Sequence, residues 1–131
     1  MAESLASENV TAYTILTNLL HHHEKAVRAS LKGADLPIMS AVEFQTLTAL
    51  YAHDGQKASE LAAAAGRAAT SFTPILDNLE SAGLIERRPH PTDRRAVLIH
   101  LTDTADAMRS AFAPIAHELN VNLWTMLTGV L

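Results

Sequence analysis

Apolar residues recur along most of this chain at intervals of three, four and seven, and over one short stretch at intervals of two. The first run covers about residues 10–31, where Tyr13, Leu16, Leu20, Val27 and Leu31 form a stripe that Ile15 and Leu19 widen. This spacing predicts an amphipathic helix of about five turns, longer than a small core needs. Its surplus apolar surface serves either a partner, with dimerisation the natural use, or packing over its own domain. Ser40-Ala-Val-Glu43 has the form of a capping box. The Ser40 hydroxyl would accept from the Glu43 amide, and the Glu43 carboxylate would return to the Ser40 amide. A helix through Phe44, Leu47 and Leu50 to about His53 follows from it.

Ser59 opens a short alanine-rich helix over residues 60–65, which Gly66 stops. The next helix, over residues 70–82, divides by angle. At about 100° per residue, Phe72, Ile75, Leu76, Leu79 and Ala82 share one face. Thr70, Thr73, Pro74, Asp77, Asn78 and Ser81 share the other, and Gly83 ends the helix. Two short helices joined by a tight turn match a helix-turn-helix. Residues 84–88 and 95–101 are strand candidates, the second with Val97, Ile99 and Leu101 alternating against Ala96, Leu98 and His100. Between them, residues 89–93 hold Pro89 and Pro91, which lack the amide donor a strand ladder needs, so this connector is a projecting turn. A basic hairpin placed directly after a two-helix unit is a wing. Thr102 caps a last helix, with Asp103 and Asp106 near its positive end and Met108, Phe112, Ile115 and Leu119 as its stripe. Trp124, Leu127 and Leu131 carry the apolar character onward, and Pro114 predicts a kink or break.

The pattern thus describes one mainly α domain over residues 1–131 with a small β-hairpin wing (α+β). A winged helix-turn-helix spans residues 40–101, flanked by helices over residues 10–31 and 103–131. Composition agrees: 48% hydrophobic and 18% charged residues indicate a packed globular chain. No apolar run is long enough to span a bilayer. Residues 1–9 lack the basic start and apolar core of a secretion signal, so the expected location is the cytoplasm, with no membrane partner. Cysteine is absent, which removes disulfides, thiolate metal ligands and thiol nucleophiles.

A net charge of −4 looks unsuited to binding DNA, but phosphate contact depends on where the cations sit. Arg67, Arg87, Arg88, Arg94 and Arg95 are half of the ten Lys and Arg residues, and they fall within residues 67–95. Glu3, Glu8, Asp103, Asp106 and Glu118 lie outside that window. The charge is polarised along the chain, which fits a phosphate-binding face or an ordinary solvated basic surface.

Four segments now carry a resemblance: Ser59-Glu-Leu-Ala62, Leu79-Glu-Ser-Ala-Gly-Leu-Ile-Glu-Arg87, Asp93-Arg-Arg95 and Leu101-Thr102. In this order and spacing, and together with the first helix and Glu43-Phe44, the chain resembles the MarR family of winged-helix regulators over nearly its whole length. The resemblance implies a homodimer built from N- and C-terminal helices, bound to double-stranded DNA at a near-palindromic operator. It also implies a repressor, often released by a small-molecule effector. It makes residues 70–82 the recognition helix of the major groove, with Thr70, Ser71, Thr73 and Asn78 facing bases or phosphates. It sends Arg94 at the wing tip to the minor groove, has Arg95 either pair with Asp93 to fix the wing turn or reach phosphate, and places Arg67 near phosphate. Three departures stand out. Pro74 replaces an exposed polar or basic residue and offers thymine methyls an apolar ring. Asn78 stands where an arginine is common. The chain stops at Leu131, where relatives usually begin another helix, which implies a short dimerisation region.

Other chemistry is poorly supported. There is no phosphate-binding glycine loop, no His-Glu-x-x-His motif and no spacing that singles out a catalytic triad, so an enzyme is not expected, nor a cofactor. His21-His22-His23 invites a metal reading, but adjacent helical residues point about 100° apart and cannot converge on one ion. One of them could join a distant His53, His100 or His117, or a dimer mate. A ligand pocket lined by His22, Met39, Phe44 and Met108 is one use of the space between helices, and plain core is the other. Two rivals to a dimeric DNA-binding repressor remain at this point. The first is a winged-helix protein-interaction module with weak or lost DNA binding, suggested by Pro74, Asn78 and the negative charge. The second is a metal-responsive regulator.

Overall fold

The computed structural model describes the backbone of residues 2–130 and the side chains of residues 11–129. The first helix, α1, runs Ala2–Gly33, so it begins a full two turns before the expected start. Ala2, Leu5 and Ala6 are good helix formers, and Glu3 lies at the positive end of the helix, so a helix forms there without an apolar stripe to announce it. The predicted stripe divides in use. Val27 and Leu31 are fully buried, whereas Tyr13, Leu16 and Leu20 are exposed.

Helix α2, Ala41–Ala52, is capped as its sequence implies, with the Ser40 hydroxyl accepting from the Glu43 amide at 3.2 Å. The reciprocal half differs from the expectation. The Glu43 carboxylate receives the Ser40 hydroxyl proton at 2.8 Å, not the Ser40 amide. A second orphan amide, that of Ala41, donates to Glu24 on α1 at 2.9 Å. Glu24 also meets Arg28 at 3.6 Å. One carboxylate therefore ties the long first helix to the start of α2.

A two-residue strand, β1 (Gln56–Lys57), was not foreseen; it pairs antiparallel with the later strand β3 (Val97–Leu101). Helix α3, Ala58–Ala64, starts earlier than expected, because Lys57 and not Ser59 is its N-cap residue, and Lys57 makes no side-chain cap bond. Helix α4 is Ala69–Ser81. Both helix ends are closed by glycine in a left-handed conformation, Gly66 at φ +66 and Gly83 at φ +75. After each, the next residue's amide turns back into the helix: Arg67 N–H to Ala62 at 2.9 Å, and Leu84 N–H to Leu79 at 3.0 Å.

Strand β2, Ile85–Pro89, extends one residue further than predicted. The sheet order is β1-β3-β2, so β2 is an edge strand. Thr102 N–H donates to Leu84 and His90 N–H to Ala96, which fixes the bonded pairs at even positions of β2. Pro89, opposite Val97, falls at an unbonded position where no donor is required. Thr102 then caps helix α5 (Asp103–Ala107) by accepting from Ala105 at 3.2 Å, and it donates to Gly83 at 2.6 Å.

The break expected near Pro114 lies upstream of it. Helix α5 ends at Met108 and α6 runs Arg109–Val130 with Pro114 inside it. At Met108 the hydrogen bonds tighten, Met108 N–H reaching Ala105 and Ala111 N–H reaching Met108, each three residues back. Arg109 fastens this joint to the end of α2, donating to the Tyr51 carbonyl at 2.7 Å and lying 5.0 Å above the Tyr51 ring. The Tyr51 hydroxyl donates to Ala105 at 2.5 Å. Burial raises the Tyr51 pKa above its ordinary value, Arg109 opposes the rise and Asp106 adds to it, so the phenol keeps its donor proton.

One core unites these elements. Phe72, Ile75, Leu76 and Leu79 of α4 are buried as their face predicts, though Ala82 is exposed. Phe44 stacks on Phe112 at 4.4 Å, and Tyr51 tilts against Phe112 at 5.0 Å. Burying Phe112, Ile115 and Leu119 fixes the first part of α6 on the core.

Candidate nucleic-acid interface

The exposed side of α4 presents the residues its periodicity placed there. Thr70, Thr73, Pro74, Asp77, Asn78 and Ser81 are all exposed, as is Ser71, which the resemblance added, while the opposite side is core. The helix stands on hydrophobic anchors, so this polar face is held rigidly toward solvent. Two hydroxyls on it are already engaged. Ser71 donates to Ala68 at 3.0 Å and Thr73 to Ala69 at 2.9 Å.

The wing is the turn between β2 and β3, and its stability comes from two side chains. The Asp93 carboxylate accepts from the backbone N–H of Arg95 at 3.0 Å, and Ala96 N–H closes onto the Asp93 carbonyl at 3.2 Å. The expected Asp93–Arg95 ion pair is not formed; the carboxylate is satisfied by backbone instead, which leaves the Arg95 guanidinium available. His90, which sequence reasoning passed over, is the second organiser. Its Nδ1 accepts from the amides of Thr92 at 3.1 Å and Asp93 at 3.0 Å. Its flanking prolines, Pro89 and Pro91, were the available signal: a rigid turn with few amides of its own needs a side-chain acceptor.

The cations divide sharply. Arg87 bonds to Asp77 and Glu80 on α4, each at 2.8 Å. Arg88 is held by Glu86 on its own strand. Asp77, Glu80, Glu86 and Asp93 lie inside the window 67–95, so the basic polarisation read from the sequence is largely cancelled there. Arg67 in the α3–α4 turn and Arg94 and Arg95 in the wing are exposed, and none has a side-chain partner among the described residues. Three arginines, not five, are free to meet an anion. Arg95 lines an open cleft with Ser59, Phe72, Thr73 and Val97, which brings the base of the wing beside the outward face of α4.

The other candidate groups do not assemble into a site. Of the residues named for a ligand pocket, Phe44 stacks on Phe112, Met39 is buried in the core and His22 is exposed. His21 and His22 are exposed with ring centroids 6.4 Å apart, and no group of three His, Asp or Glu side chains gathers among the described residues. No described helix is long and apolar enough to cross a membrane.

Comparison with known proteins agrees with this geometry. Residues 39–97 match the MarR family. The chain is similar to the HTH-type transcriptional repressor NicR of Pseudomonas putida, 30% identical over 64% of this chain and 53% of that protein. It is also similar to the transcriptional repressor MprA of Escherichia coli K12, 30% identical over 87% of this chain and 66% of that protein. The chain thus spans between about half and two thirds of the curated relatives it matches. Among solved structures, that of the S. aureus MepR–DNA complex superposes with a TM-score of 0.72 and 28% identity, covering 86% of this chain and 82% of MepR. The matched segment, these relatives and the superposition on MepR agree with one another, and the chain belongs to the MarR family.

Proposed function

We propose that the protein is a sequence-specific DNA-binding transcriptional regulator. The observation that carries this reading is the shared cleft of Thr73 and Arg95, which sets a polar, rigidly anchored helix face next to a wing whose arginines have no side-chain partner among the described residues. A helix of that kind suits the major groove, and a neighbouring arginine-tipped turn suits the minor groove or the phosphates beside it. Arg67, Thr70, Ser71, Thr73, Pro74, Asn78, Arg94 and Arg95 form the contact set, and Asp93 acts by fixing the wing. The relatives' names add repression, which on this chain would act by operator occupancy in the cytoplasm.

The protein acts as a homodimer in this reading. Tyr13, Leu16 and Leu20 on α1 and Val121, Trp124 and Leu127 on α6 are large, apolar and exposed. The two helices pack on each other, so their exposed side chains supply one surface for a second copy. A small ligand that favours a dimer with altered recognition-helix spacing would release the operator.

Selection of bound sites from a pool of random duplex DNA tests both parts together. The expected product is an inverted repeat whose half-site centres lie about one helical turn, or a multiple of it, apart. Absence of any enriched site contradicts DNA binding, and enrichment of single asymmetric sites contradicts the dimer.

A further inference from the structure

We infer that α4 reads A·T base pairs, with Pro74 recognising the C5-methyl group of thymine and Asn78 recognising adenine, and that it lacks the arginine or lysine that usually selects guanine. This inference rests on the DNA-binding reading above and specifies what the helix would bind.

The argument is an inventory of what the exposed face can donate and accept. Guanine shows the major groove two adjacent acceptors, N7 and O6, and its usual partner is the paired donors of an arginine or lysine. Helix α4 holds neither residue anywhere between Ala69 and Ser81. The hydroxyl protons of Ser71 and Thr73 are already given to Ala68 and Ala69, so these oxygens face outward as acceptors. Asp77 is an acceptor too, and it is engaged by Arg87. Pro74 adds to the same bias, because without its amide the Thr70 carbonyl has no donor four residues on. The donors that remain, the Thr70 and Ser81 hydroxyls and the Asn78 amide, are single groups, so the face lacks the paired donors that guanine's two acceptors favour.

The same inventory fits A·T pairs. Asn78 is the one exposed residue on α4 that offers a donor and an acceptor side by side, the pattern complementary to adenine N6 and N7. Pro74 lies one turn before it on the same face and exposes a ring with only carbon and hydrogen at its rim. In the major groove the thymine methyl is the apolar group such a ring can cover. The two side chains sit four residues apart, about 6 Å along the axis, or roughly two base steps. The Thr73 oxygen, next to Pro74 in sequence, can accept from adenine N6. Arg94 acts in the same direction if it enters the minor groove, because narrow A·T-rich grooves hold the stronger negative potential.

The test uses duplexes enriched from a random pool by the intact protein. Each half-site thymine is replaced in turn by deoxyuridine, which deletes only the methyl group, and affinities are compared for wild type, Pro74→Ala and Asn78→Ala. At one thymine per half-site, methyl deletion is expected to weaken wild-type binding by about fourfold, the worth of one buried methyl. Pro74→Ala is expected to bind the methylated and unmethylated duplexes alike, and Asn78→Ala to tolerate replacement of the adenine about two steps away. Circular dichroism of each variant separates these losses from unfolding. Enrichment of guanine at the positions where Asn78→Ala relaxes selectivity overturns the inference while leaving DNA binding intact. So does a wild type indifferent to every methyl deletion. Failure to enrich any duplex removes the DNA-binding reading itself, and the inference with it.

Discussion

Arg94→Ala is expected to lower affinity for duplex DNA by on the order of ten- to a hundredfold at low salt, with the fold unchanged. Arg94 is exposed at the wing, and its guanidinium has no partner among the described residues, so the substitution breaks nothing inside the protein. The proposed dimer would lose two such contacts, and charge-assisted bonds to phosphate or groove oxygens are among the stronger polar interactions. The contrast with Arg88 makes the prediction specific. Arg88 already satisfies Glu86, so Arg88→Ala removes a cation that is largely neutralised and should change affinity by much less. Fluorescence anisotropy with a labelled duplex gives both numbers. Equal losses for the two variants would mean that net charge alone drives binding and that the wing has no special place.

Phe112→Ala should cost about 3–5 kcal/mol of unfolding free energy, a large share of the roughly 5–15 kcal/mol that holds an ordinary domain. Phe112 is 1% exposed, stacks on Phe44 and meets the Tyr51 ring, so its removal opens a cavity where α2 and α6 join. Relaxation there is restrained, because Arg109 and Tyr51 bind the α5–α6 joint to the end of α2. Urea titration followed by circular dichroism measures the loss, and Phe112→Leu should fall between wild type and alanine. A loss below about 1 kcal/mol for alanine would show that the joint collapses freely and is not the anchor of α6 described above.

Much of this architecture was legible because its punctuation is local. Ser40 and Thr102 cap helices by bonding amides three residues on, and Gly66 and Gly83 close helices through conformations that other residues avoid. The core face of α4 followed from angle alone, since Phe72, Ile75, Leu76 and Leu79 needed only to share a side. What escaped depends on contacts between distant segments. Strand β1 is two residues long and exists because Gln56 and Lys57 lie against Ile99 and Leu98. The joint at Met108 is set by Arg109 reaching Tyr51, which no periodicity encodes.

The site was legible in outline and misjudged in its charge. Exposure of Thr70, Thr73, Pro74 and Asn78 was predicted from the helix face, while Ser71 was placed there only by the family resemblance. Which arginines remain free was not, because Arg87 crosses from β2 to two carboxylates on α4, seven and ten residues earlier in the chain. The wing turn shows the same limit. Asp93 stabilises it as expected, but through a backbone amide, and His90 shares the task.

The central claim is that α4 and the wing grip duplex DNA, and a salt titration of binding tests it most directly. Wild-type protein and a random-sequence duplex, measured from low to moderate salt, should give an observed binding constant that falls linearly on logarithmic axes. In the proposed dimer, with three arginines per chain that have no side-chain partner among the described residues, the slope should be about −5, and Arg94→Ala should reduce its magnitude by about two. Undetectable binding at the lowest salt, by a protein that is folded and dimeric, would contradict the account and leave the winged helix as a protein-interaction module.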